Sequence, residues 1–80
     1  MGKQRLSRAG IVQRIADEEV RSTIAHDQDP HDEAEIAGMQ NTAWQNINTA
    51  LGERPGMDEV AAAIENALVK LKNGTLGDPR

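Results

Sequence analysis

Pro30 and Pro55 cut the chain into three stretches, and in each the apolar residues recur at the spacing of an α-helix. Proline lacks a backbone donor and clashes with the preceding turn, so neither position suits a helix interior. Strand signals are nearly absent. Trp44 is the one aromatic residue, and no β-branched run alternates with polar residues. The sequence therefore predicts an all-α fold.

The first helix is expected from Ser7, an N-cap type, to about Ala25, with Ile11, Val12, Ile15, Ala16, Val20 and Ile24 apolar. At about 100° per residue, Ile11 and Ile15 lie on a different side from Val20 and Ile24. That drift predicts either a bend near Asp17-Glu18-Glu19 or two halves packed on different neighbours. In the second segment Asp29 is the expected cap, Pro30 the first helical residue and Asp32 the capping-box acid. Ile36, Met39, Ala43, Ile47 and Ala50 make its stripe, flanked by Trp44 and Leu51, and Gly52 ends it. The third runs from about Met57 to Lys72. Its face is Met57, Val60, Ile64, Ala67, Leu68 and Leu71, with Lys70 and Lys72 in the last turn, where cations suit the helix dipole.

Short links force antiparallel neighbours. The architecture expected is a small three-helix bundle, or a helical hairpin with an added N-terminal helix. The organisation expected is a basic arm at 1–6, one helical domain at 7–73 and a flexible tail at 74–80.

Eighty residues supply only nineteen large apolar side chains, and a domain this small buries roughly 60% of its unfolded surface. Small scaffolds usually add disulfides, metals or oligomerisation. With no cysteine, disulfides and thiol chemistry are excluded, which raises the expectation of an oligomer or a constant partner. No apolar run suggests a signal peptide or membrane span, so a cytoplasmic location without membrane contact is expected.

Ligand-type side chains gather once, in His26-Asp27-Gln28-Asp29-Pro30-His31-Asp32-Glu33-Ala34-Glu35. Imidazole and carboxylate can bind divalent metals, but helix capping already accounts for the acids, so no metal or cofactor is expected. Catalysis is not expected either. The glycines are scattered without a phosphate-loop pattern, and the consecutive Asp17, Glu18 and Glu19 point in different directions.

Net charge is −4, yet residues 1–14 carry Lys3, Arg5, Arg8 and Arg14 and no acid. Such an arm can contact nucleic-acid phosphates or another anion. The eleven residues Leu6-Ser7-Arg8-Ala9-Gly10-Ile11-Val12-Gln13-Arg14-Ile15-Ala16 resemble the opening helix of several bacterial DNA-binding domains. The resemblance lies in a polar start, an apolar pair and basic spacing. It implies a small DNA-binding regulator, against which stand the acidic net charge and the lack of a recognition helix after a tight turn.

The second helix carries a different signal. From Ile36 to Gly52, seventeen residues pass without a charge, and the face opposite the stripe is Asn41, Thr42, Gln45, Asn48 and Thr49. Exposed helix faces normally hold Lys and Glu, whereas depletion of charge marks interface cores. On the third helix Ala62 and Val69 lie opposite the apolar face, one heptad apart. Asn41, Trp44, Gln45, Asn48, Ala62 and Val69 are thus the expected partner interface. The expected function is a non-enzymatic helical interaction protein that self-associates, or binds a larger protein as adaptor or inhibitor. The alternatives are the DNA-binding regulator and an oligomeric protein sequestering a small anionic ligand.

Overall fold

The computed structural model describes residues 7–76, so the arm at 1–6, with Lys3 and Arg5, lies outside the described residues. Three helices form: α1 Arg8–Ala25, α2 Glu33–Leu51 and α3 Met57–Lys72. Among the described residues there is no strand. Each helix touches both others, and α1 packs more extensively on α2 and on α3 than these two pack on each other.

The first helix starts where Ser7 predicts, its hydroxyl accepting from the Gly10 N–H at 3.1 Å. It continues unbroken through Asp17-Glu18-Glu19. Its buried line is Val12, Ala16, Val20 and Thr23, a single stripe at helical spacing. Ile11, Ile15 and Ile24, whose positions gave the apparent drift, are only half-buried beside this stripe. The larger side chains flank the stripe while the smaller ones fill it, which lets α1 lie close to both neighbours. Thr23 is buried without penalty because its hydroxyl donates to the Glu19 carbonyl at 3.0 Å.

The start of α2 falls later than expected. Asp32, not Asp29, is the N-cap, accepting from Glu35 N–H at 3.3 Å, and Pro30 is buried in the link before it. Asp29 instead holds the turn, its carboxylate accepting from the His31 N–H at 2.9 Å. The acid three residues after the true cap is Glu35, so the same signal exists one register on. Gly52 ends the helix with φ 72, the left-handed conformation that favours glycine.

One core joins the elements. Val12, Ala16 and Val20 meet Met39, Ala43 and Ile47 of α2 and Val60, Ala63, Ile64 and Ala67 of α3. Leu76, within the stretch expected to be a tail, is buried in the same cluster at 7% exposure. The Arg21 guanidinium donates to its carbonyl at 2.9 Å and so secures the segment after α3. Among the described residues, no helix is long and apolar enough to cross a membrane.

Candidate functional site

Side-chain hydrogen bonds bridge α1 and α3 along the middle of their seam, and a groove opens between α2 and α3. Between α1 and α3 the Gln13 amide donates to the Ala63 carbonyl and to Asp17, both at 2.9 Å, and accepts from Asn66 at 3.3 Å. Lys70 donates to Asp17 at 2.8 Å. Sequence reasoning missed this network, although Gln13, Asp17, Asn66 and Lys70 all sit at the edges of apolar stripes. Asp17 turns to α3, Glu18 lies on the solvent side opposite Arg14, and Glu19 is half-buried, so the three acids do point three ways. Burial raises the Glu19 carboxyl above its ordinary value. Among the described residues, no buried side-chain nitrogen or oxygen lacks a partner.

Between α2 and α3 lies a groove of about 410 Å³, lined by the apolar side chains of Ile36, Ala61, Ile64 and Leu68 and the polar ones of Gln40, Asp58 and Glu65. Ala62 also lines it. Val69, one heptad on, is 52% exposed and, with Met57 at 48%, is one of two large hydrophobic residues left in solvent among the described residues.

The outer surface of α2 is uncharged throughout this region. Asn41, Thr42, Gln45, Asn46 and Thr49 are exposed, Asn48 is half-buried, and Ala37 and Gly38 continue the same face. Trp44 is half-buried and packs against the core. Its indole N–H donates to the Pro55 carbonyl at 2.9 Å, so the ring is anchored within the chain with one edge accessible. Of the expected interface residues, Asn41, Gln45, Ala62 and Val69 are exposed, and Trp44 and Asn48 are half-buried. Gln40, Asp58 and Glu65 were missed, because only the fold shows that they edge a common trough.

The arginines are arranged otherwise. Arg8 is held between two acids, its Nε donating to Glu53 at 2.8 Å and a terminal nitrogen to Glu59. Arg14 is exposed, 3.8 Å from Glu18. Six residues apart, the two point about 120° from each other around α1, so they do not form one basic strip.

The link region forms no metal set: among the described residues, no three His, Cys, Asp or Glu side chains converge to hold an ion. His26 lies one turn after Ser22, but its Nδ1 is 2.8 Å from the Ser22 carbonyl, not placed as a base for the hydroxyl.

The class these features define is a three-helix protein with an uncharged-to-acidic groove between α2 and α3. No protein-family model, curated protein or solved structure matches the chain.

Proposed function

We propose that the chain is a non-enzymatic interaction protein whose working surface is the α2–α3 seam, acting by self-association, by binding a larger protein, or both. The observation that carries this reading is the apolar groove between the helices, bordered by an α2 face without charge. A solvent-facing helix gains solubility from Lys and Glu, and this one has neither over seventeen residues. Amides and hydroxyls keep hydrogen-bonding capacity when covered and cost less to desolvate than charges.

A ligand-sequestering role is less well supported. The polar groups on the groove are two carboxylates and an amide, which repel an anion, and no arginine lines it. A DNA-binding role is weakened by the ion pairs of Arg8, since a cation already neutralised releases fewer counterions on meeting phosphate.

The test is affinity capture combined with cross-linking in the native cell. Wild type, Gln45→Glu/Asn48→Glu and Ala62→Glu are compared with Arg14→Glu on the opposite helix. Partners lost by the first two variants and kept by Arg14→Glu support the reading. Identical cross-links in all four proteins refute it.

A further inference from the structure

We propose that the groove is occupied by α3 of a second copy of this chain, lying antiparallel to the first across a twofold axis. This rests on the reading of the α2–α3 seam as an interaction surface, and it specifies the occupant.

The side chains along the exposed line of α3 follow a distinctive order. Asp58 lies at one end, Ala62 and Val69 in the middle and Lys72 at the other end, all exposed. Seven residues return to nearly the same angle on a helix, so Ala62 and Val69 stand one above the other, about 10 Å apart. Asp58 and Lys72 are separated by about 21 Å along the same side. Among the described residues, neither makes an ion pair within the chain.

A helix marked acid–small–large–base is complementary to itself in one orientation only. Antiparallel pairing that sets Val69 of each copy against Ala62 of the other gives each large side chain a small one to pack on. The same register puts Asp58 opposite Asn73, one residue from Lys72, within reach of that flexible side chain. Two equivalent ion pairs then close the ends, and the helix dipoles oppose favourably. Parallel pairing would set acid on acid and base on base. Val69 enters the edge of the groove that Ala62 lines, and Leu68 and Ile36 lie beside it. A twofold interface is isologous, so one groove and one Val69 per copy satisfy both halves.

Near the axis the two Glu65 side chains approach each other. This like-charge contact opposes association, so neutralising it should tighten the dimer. That response is specific to the arrangement.

The experiment is sedimentation analysis of the full chain over a concentration series up to roughly 1 mM, a range that detects millimolar dissociation constants. The contact is one helix long, hence at the small, weak end of protein interfaces. Wild type is expected to rise from the 8.7 kDa monomer to twice that mass. Val69→Asp should weaken association roughly tenfold or more by placing a charge in an apolar contact. Asp58→Lys and Lys72→Asp should each weaken it, about tenfold, by making both ends alike in charge. Mixing those two variants restores opposite charges at both ends, so the mixture should dimerise more tightly than either variant alone. Glu65→Gln should tighten the dimer about threefold. Circular dichroism checks that each variant remains helical, and substitutions at exposed positions should leave it so.

A monomer at every concentration, or a dimer indifferent to Val69→Asp and to the charge exchange, overturns the proposal. In that event the cross-linking comparison still decides the broader reading, since seam-dependent capture by a monomer would leave it standing.

Discussion

The indole N–H of Trp44 donates to the carbonyl of Pro55 across eleven residues, so the one aromatic side chain holds the link between α2 and α3 against the end of α2. Pro55 is buried. Trp44→Phe keeps an aromatic ring and removes the donor. It should cost about 1 kcal/mol, with a further loss for the smaller ring, measured by urea unfolding followed by circular dichroism. An unchanged midpoint would mean the hydrogen bond contributes nothing net.

The Asp17 carboxylate serves both Lys70 and Gln13 and is only 15% exposed. Asp17→Ala should destabilise by about 1–2 kcal/mol, because it leaves an amide and an ammonium group without their acceptor. Lys70→Ala should cost less, since Asp17 retains Gln13. A double-mutant cycle checks this, with a coupling energy of at least about 0.5 kcal/mol expected.

Two glycines should respond to alanine with opposite signs. Gly38 lies inside α2 with open space where a Cβ would stand, so Gly38→Ala should stabilise by roughly 0.5–1 kcal/mol. Gly52 has φ +72, so Gly52→Ala should destabilise by about 1 kcal/mol although space is equally open. Thermal unfolding midpoints moving in the same direction would contradict the assigned helix end.

Glu19 predicts a pH dependence. Burial raises its carboxyl above the ordinary glutamate range, so the folded chain holds that proton more tightly than the unfolded chain does. The group's contribution is therefore fully present below the unfolded value and is lost as pH rises through the folded one. Glu19→Gln should stabilise the protein at pH 7 and give a smaller gain near pH 4. A gain that grows on acidification would reverse the assignment.

Leu76→Ala should behave as a core truncation and cost about 2–4 kcal/mol, despite lying four residues beyond the last turn of α3. A loss below about 0.5 kcal/mol would show that this residue does not belong to the core.

Much of the fold was legible because capping residues and apolar spacing agreed. Ser7, Gly52 and the Met57–Lys72 periodicity each mark a helix end that the structure has. What was not legible depended on distance. The burial of Leu76 follows from Gly74, whose φ of 74 turns the chain back towards Arg21, and local periodicity carries no such information. The pairing of Arg8 with Glu53 and Glu59 is also non-local, spanning 45 and 51 residues. In the candidate site, the absence of charge on α2 could be read directly. The groove could not, because it arises from the spacing of two helices and belongs to neither alone.

Since α1 holds both other helices more extensively than they hold each other, the α2–α3 contact is expected to loosen before the other two. Such loosening would widen the groove while the contacts of Ala16 and Val20 persist. Amide hydrogens in the middle of α1 should then exchange only on global unfolding, whereas those along the Ile36 end of α2 exchange through smaller openings. The width of the trough would then be an adjustable quantity, set by whatever fills it, at little expense to the stability of the whole.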